Sequence, residues 1–585
     1  MTVKLSNEFI EQSTMLLKNK NIEELNKILK VKTGLINFFE TYNEYVKFKE
    51  ILNLRSENSE KDRDMGDFQT PKQLTDKICE HLFNIGINPL FLIEPTCGTG
   101  NFVISALEYF PKLKYIYCIE IQEEYEWYFK LNLLCKSFEQ PINIDIEFHK
   151  DNIFTHRFSN KFLRLLNKSS EHNLILGNPP WVTNTELSVL NSDNIPLKSN
   201  IKGHKGIEAI TGKGNFDIAE YIIIQMVKKF SKYKGKIAML CKTSVIKNIV
   251  KDIDKLNMRL SNIKSLQIDT KKEFNINADA ALFLADLGYD REKYCTVSSL
   301  YQPNHKYNIF GWIDNKFVSD TESYKKYKFL DGKSEFIWRQ GVKHDATKIM
   351  VLKENAKGLH INGLNEIVKI EDNCLYPFIK SSDLKERIIK ACNKKVIITQ
   401  ASLKDDTNKI ALKYPKLWNY LLKHSEYLDN RKSIIYKNRP RFSIFGIGDY
   451  AFKPYRVAIS GFYKIPIFSL IFPINDKPVM LDDTCYYLSF NKFEDAFFTW
   501  ILFNTTEIKN FLRSIVFLKS KRPYTKEKLM RINLANLLDT LSFEEISRFY
   551  QKNLRKFLFY DFSKENFLKY KSEKFPKVKS LLHYI

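Results

Sequence analysis

At 585 residues the chain is long enough for two or three domains, each burying a core without disulfide or metal staples. Lys and Arg number 92 against 68 Asp and Glu, and this excess of +24 favours polyanionic partners, with charge that merely solvates surfaces as the alternative. The nine cysteines are scattered without a CxxC pair and the ten histidines form no ligand-spaced cluster with them, so a metal site is not expected. No apolar stretch reaches bilayer-spanning length, and a cytoplasmic protein without signal peptide or membrane contact is expected.

Residues 1 to about 55 show helical periodicity, as in Phe9, Met15, Leu16 and Leu17 and again in Leu25 and Leu29, before the polar run SENSEKDRDMGD interrupts it. The reading is a helical extension over 1–64 that ends in a linker. From Asp67 to about Leu287 helical stretches alternate with FLIEP, YIYCIE, IDIEF, NLILG, KIAMLC, KSLQID and AALFLADL. This alternation predicts an α/β fold, an open, doubly wound, Rossmann-like sheet over 65–290, with the last two runs as an antiparallel edge hairpin. Beyond 290 the texture becomes irregular, aromatic and basic, with Trp312, Trp338, Tyr436, Phe442 and Phe445 among short strand-like pieces. Residues 291–585 are therefore expected to form a mixed α+β domain, helical again from about Phe493 and closing on a Lys- and aromatic-rich tail.

The segment FLIEPTCGTGNFVISALEYF reads as a strand, a tight turn carrying Gly98 and Gly100, and a helix, with small residues that let a cofactor approach the backbone. Twenty residues past Gly100 the next strand ends on Glu120, where doubly wound folds place the carboxylate that grips ribose hydroxyls. The following strand ends on Asp151, which suits either acceptance from an adenine amino group or a helix N-cap. Then NLILG runs into Asn178, Pro179, Pro180 and Trp181, the most specific signal in the chain. An exocyclic amine is a poor nucleophile because its lone pair is delocalised into the ring. The Asn178 side-chain oxygen and the Pro179 carbonyl can each accept one N–H and draw that nitrogen toward a pyramidal geometry, held rigid by the prolines. Trp181 offers a flat face for an extruded base.

From Asp67 to about Asp286 these motifs resemble the gamma class of DNA adenine-N6 methyltransferases of restriction-modification systems. GDFQTPKQLTDKI is similar to their first cofactor motif, EPTCGTGNF to the glycine motif, CIEIQ and KDNIF to the acidic ones, and GNPPW to the catalytic tetrapeptide. KGNFDIAEYIIIQM and GKIAMLCKTSVI resemble the helix and strand that complete the sheet. The resemblance implies that Thr70, Glu94, Glu120, Ile121 and Asp151 contact S-adenosylmethionine, that Asn178, Pro179 and Trp181 handle the target base, and that Phe274 is a second stacking aromatic, with a plain core role as its alternative. Trp181 stands where the family usually has Tyr, and Asn152 where an apolar residue often lies beneath the cofactor adenine. The segment from Val182 to Asn215 is read as a loop that orders over cofactor or DNA, or as a passive insertion.

The second domain resembles the family's target-recognition region through WRQGVKHD, RFSIFGIGDYAFKPYRVAISG, LDDTCYYLSF and KSKRPYTKEKLMRI. Between Arg431 and Lys464 stand eight Lys or Arg, eight Tyr or Phe and one acid, Asp449, a composition suited to double-stranded DNA or to a solvated strand face over an aromatic core. The expected function is site-specific methylation of adenine N6. Cytosine N4 and a protein glutamine amide are the alternatives, since an asparagine-proline-proline turn suits both of these delocalised nitrogens. The only Glu-x-Lys, Glu507-Ile508-Lys509, lies in a helical stretch, so no nuclease is expected in this chain and any cognate restriction endonuclease would be a separate partner.

Overall fold

The computed structural model describes residues 7–18, 21–53, 69–168, 171–182, 217–355 and 357–576. The polar linker run lies outside them, as do the segment after Val182 up to Asn215 and the last part of the tail. The chain divides into two compact units between Phe317 and Val318.

The first unit lays down α1 (Asn7–Leu17), α2 (Ile22–Thr33), α3 (Tyr42–Asn53), α4 (Lys72–Asn84), β1 (Phe91–Glu94), α5 (Asn101–Tyr109), β2 (Tyr115–Glu120) and α6 (Glu123–Glu139). It continues with β3 (Asp145–Lys150), α7 (Asn160–Lys168), β4 (Asn173–Gly177), α8 (Ile218–Phe230), β5 (Gly235–Lys242), α9 (Thr243–Lys251), β6 (Leu260–Gln267) and α10 (Thr270–Phe274). It closes with β7 (Ala280–Leu287), β8 (Tyr294–Ser299), β9 (Lys306–Ile313) and β10 (Lys316–Val318). Among the described residues these strands make one sheet in the order β10-β9-β8-β6-β7-β5-β4-β1-β2-β3. β1 to β5 run parallel. Every residue of β1, β2 and β4 is buried, as strands covered by helices on both faces must be. Chain order reverses between β1 and β4, so the carboxyl ends of the strands around this pair border the crevice where such sheets bind ligands.

Two expectations change. β6 and β7 do pair antiparallel, but β7 sits inside the sheet between β5 and β6 rather than at an edge. The sheet also continues through β8 to β10, past the boundary read at 290, because β8 pairs in parallel with the otherwise bare edge of β6. Trp312, assigned from sequence to the second domain, lies on β9 and donates to Val250 O at 3.1 Å.

The N-terminal helices are part of the first unit's core. Leu35 bridges Ile146 of β3 in parallel and covers that edge. Lys130 of α6, 3 % exposed, reaches Glu126 Oε1 at 2.6 Å and Glu44 of α3 at 3.5 Å, with its ammonium over the Trp127 ring. A buried lysine with carboxylates at both distances fixes α3 against α6 more specifically than apolar packing alone.

Among the described residues the second unit holds two five-stranded sheets. β11 (Arg339–Gln340), β15 (Ile388–Ile389), β17 (Tyr455–Ser460), β18 (Phe468–Ile471) and β20 (Cys485–Phe490) form one. β12 (Val351–Glu354), β13 (His360–Ile361), β14 (Leu375–Ile379), β16 (Lys394–Ile397) and β19 (Met480–Leu481) form the other. Most aromatic residues of the helical end pack inward, Phe557 and Phe559 being exposed. Phe497, Phe498, Tyr550 and Phe567 are buried against one another, and Tyr570 OH lies 2.8 Å from Thr499 Oγ1.

Candidate active site

A cleft enclosing about 960 Å³, solvent mouth included, opens at the carboxyl ends of β1 to β4. Its floor is the glycine turn. Gly98 (φ 52°) and Gly100 (φ 83°) both occupy the left-handed region. A Cβ on Gly98 would stand 2.5 Å from Gln69 Oε1, and one on Gly100 would stand 2.4 Å from the Phe129 ring. Gln69 Oε1 in turn accepts from Thr99 N at 3.1 Å, so an unpredicted side chain clamps the turn from above.

Two carboxylates flank that turn. Glu120 accepts from Gly98 N at 2.8 Å through Oε2, and from Ile121 N and Gln122 N at 2.8 and 2.9 Å through Oε1, which ties the glycine turn to the end of β2. Glu94 is 1 % exposed, and its Oε2 has no hydrogen-bond partner among the described residues. Burial, with Cys118 and Glu120 nearby, pushes its carboxyl well above the usual range. A buried carboxyl of this kind on a cleft wall calls for a cation or a donor from a ligand.

Asp151 accepts from His156 Nδ1 and from Asn152 N, both at 2.7 Å, and His156 Nε2 lies 2.7 Å from Tyr117 OH. Partial burial works against ionisation, but these two donors hold the Asp151 carboxyl below its ordinary value. Asn152, the departure from the family pattern, accepts from Phe154 N at 3.0 Å, and the turn so formed brings Ile153 and Phe154 to the cleft. Apolar surface opposite Ile121 is thus supplied one and two residues later than expected.

The turn after β4 is held at both ends. Asn178 Nδ2 donates to Thr70 Oγ1 at 3.1 Å, while Asn101 Nδ2 donates to Thr70 O at 2.7 Å. Thr70 thereby links the Asn178 amide to the start of α5. At the far end Lys242 Nζ donates to Trp181 O at 2.6 Å and pairs with Asp217 at 3.1 Å, and Ile218 N donates to Val182 O at 3.0 Å. Of the residues singled out from sequence, Thr70, Glu94, Gly98, Glu120, Ile121, Asp151 and Asn178 line the cleft, whereas Gly100, Pro179, Trp181 and Phe274 do not. Trp181, 5 % exposed, meets Phe274 edge to face with ring centroids 5.3 Å apart. Sequence reasoning missed Gln69, Asn101, Asp217 and Lys242. Lys242 lies in GKIAMLCKTSVI, one of the segments that carried the family resemblance, but only as the end of a strand.

A largely parallel sheet with the antiparallel β7 inserted between β5 and β6, a glycine cradle, acids at successive strand ends and an asparagine-proline-proline turn define an S-adenosylmethionine-dependent methyltransferase. Comparison with known proteins makes the class specific. The sequence model of the N-6 DNA methylase family matches residues 49–270. The type II methyltransferase M.NspV of Nostoc sp. is 40 % identical over 475 residues, covering 80 % of this chain and 96 % of that protein. The chain belongs to this family: it is an adenine-N6 DNA methyltransferase of the restriction-modification kind, with S-adenosylmethionine as methyl donor. Among solved structures it is similar to the type IIL restriction-modification enzyme MmeI in complex with DNA (11 % identity, 86 % of this chain and 71 % of that one, TM-score 0.45). It is also similar to the type IIG restriction endonuclease BpuSI (13 % identity, 97 % and 75 %, TM-score 0.35). Among the described residues no helix is long and apolar enough to cross a membrane.

Proposed function

We propose that the Asn178–Trp181 turn is the catalytic element, of the gamma-class type, and that Glu94, Glu120, Ile121 and Asp151 hold the cofactor. The observation that carries this reading is the Thr70–Asn178 hydrogen bond. With the amide nitrogen directed at Thr70 Oγ1, the amide oxygen, itself buried, is the acceptor end of the side chain. It and the Pro179 carbonyl would take the two N–H groups of the adenine amine and aim its lone pair outward.

The cleft fits S-adenosylmethionine. Buried Glu94 suits its ammonium, Glu120 its ribose hydroxyls and Asp151 its adenine amino group, with Ile121, Ile153 and Phe154 as apolar walls. When bound, the cofactor supplies an electrophilic sulfonium methyl. The chain's own residues supply no base in this scheme; Asn178 and Pro179 orient the amine by accepting hydrogen bonds from its N–H groups, and the proton that the methylated amine sheds passes to solvent.

The adenine would leave the duplex to reach the turn, at a cost of a few kcal/mol that stacking of about 1–3 kcal/mol per base partly offsets. Trp181 is the stacking face. Phe274 touches it edge-on, so a base sandwiched between the rings requires Phe274 to move.

Target recognition is assigned to the second unit, and within 431–464 fewer cations are free for DNA than the composition suggests. Arg431 donates to Leu428 O and Ser443 O, both at 2.7 Å, and Arg456 is fully buried, so both serve the fold. Exposed Lys432, Lys437, Arg439 and Lys464 remain for phosphates, and Arg441 joins them where a phosphate displaces its ion-pair partner Asp429. A cognate endonuclease would be a separate chain.

Asn178→Ala should lower single-turnover methyl transfer by about two to three orders of magnitude, as for loss of one preorganised partner. Calorimetry should find cofactor affinity kept. Transfer at the wild-type rate would refute the assignment.

A further inference from the structure

Lys242 is the last residue of β5, and its ammonium holds the far end of the catalytic turn through the 2.6 Å bond to Trp181 O. Its second partner, Asp217, caps α8 by accepting from Ala219 N at 3.1 Å. Val182 and Ile218, the chain neighbours of Trp181 and Asp217, line the cleft and are hydrogen-bonded to each other. The Lys242–Asp217 pair therefore lies directly behind the cleft wall, with side chains 29 % and 12 % exposed.

Such a position has two consequences. A carbonyl pinned by an ammonium fixes the turn that presents Asn178 and Pro179, and small misplacements of reacting groups are costly. A cation there also opposes a cofactor whose reacting centre is itself cationic, unless a carboxylate cancels it, because charges near a half-buried wall interact more strongly than in bulk water. Asp217 stands at ion-pair distance to do so. A neutral donor would not need that partner, and an apolar residue would leave the Trp181 carbonyl unheld.

We propose that Lys242 is a positioning residue for the Asn178–Trp181 turn and that Asp217 cancels its charge toward the sulfonium cofactor, an inference that rests on the catalytic reading of Asn178.

The test uses the full-length protein with Lys242→Met, Lys242→Arg and Asp217→Asn, and Asn178→Ala as reference. Lys242→Met should slow single-turnover transfer about 10- to 100-fold, the scale of an ångström-sized misplacement, with S-adenosylmethionine affinity within about threefold of wild type. Lys242→Arg should recover most of the rate. Asp217→Asn still caps α8. It should bind S-adenosylmethionine several-fold more weakly and leave the affinity for neutral S-adenosylhomocysteine unchanged. Wild-type transfer by Lys242→Met beside an inactive Asn178→Ala overturns the positioning role alone; wild-type transfer by both overturns the catalytic reading first. Equal losses for the two nucleosides in Asp217→Asn overturn the charge role. Should Lys242→Met fail to fold, Lys242→Gln takes its place in the rate test of the positioning role, and the ratio of those two affinities decides the charge role.

Discussion

Along the sheet edge of the first unit the polar side chains hold one another: Glu120 takes three backbone N–H groups, Asp151 is fixed by His156, and Thr70 fixes Asn178. In residues 431–464 of the second unit five of the eight cations stand exposed, beside rings such as Phe445 and Phe442 and with Asp429 as the ion-pair partner of Arg441. Preorganised, partly buried groups act over one hydrogen-bond length and are barely screened. Exposed cations act over a Debye length of about 10 Å at 0.1 M salt and weaken as salt rises. The difference suits a division of labour in which the first region carries chemistry and the second finds and holds a polyanion.

The largest effect on binding should come from the rigid side of this comparison. Glu120→Ala removes the tie between the glycine turn and β2 together with the proposed ribose acceptor. Calorimetry should show S-adenosylmethionine bound about 10- to 100-fold more weakly, the worth of one charge-assisted hydrogen bond of about 1.5–3 kcal/mol. DNA affinity should be nearly unchanged; an unaltered cofactor affinity would break the assignment. On the exposed side, replacing Lys437, Arg439 and Arg441 together by Gln should lower the slope of log affinity against log salt by about 0.9 for each phosphate no longer neutralised. Cofactor affinity should not move, and a slope equal to wild type would remove this stretch from the DNA surface.

The smallest effect is a pH dependence. Because burial raises the Glu94 carboxyl in the folded protein, its contribution to stability is complete below the unfolded carboxylate value of about 4.3 and is lost as pH rises through the raised value. The apoprotein's Tm should therefore decline as pH increases above the ordinary carboxylate range, and the gain in Tm from S-adenosylmethionine should grow over the same interval as its ammonium meets the carboxylate. Glu94→Gln should flatten both trends. Unchanged trends in that variant would place their origin elsewhere.

The parts of the site that could be read from sequence are those whose partners are close along the chain or set by the strand rhythm: the glycine turn, Glu120 and Asp151 at strand ends, and Asn178 after β4. What could not be read joins distant residues. Gln69 reaches Thr99 across 30 positions, and Lys242 reaches Trp181 across 61. The N-terminal helices read as a preface because periodicity reveals an apolar face but not what covers it, here α6 and the edge of β3. The same limit explains β8 to β10, whose mixed polar and aromatic texture looked foreign to a buried sheet although they extend it. Charge misled in the second unit. Arg431 and Arg456 counted toward a DNA surface in the sequence, yet one is bound to backbone carbonyls and the other is buried.

The most direct test of the central claim is nucleoside mass spectrometry of plasmid DNA after a single turnover with isotopically labelled S-adenosylmethionine, with wild type and Asn178→Ala side by side. The label should appear in N6-methyladenine at one recurring sequence for the wild type and fall by about two to three orders of magnitude in the variant. Label in N4-methylcytosine, or an undiminished yield from Asn178→Ala, would contradict the account.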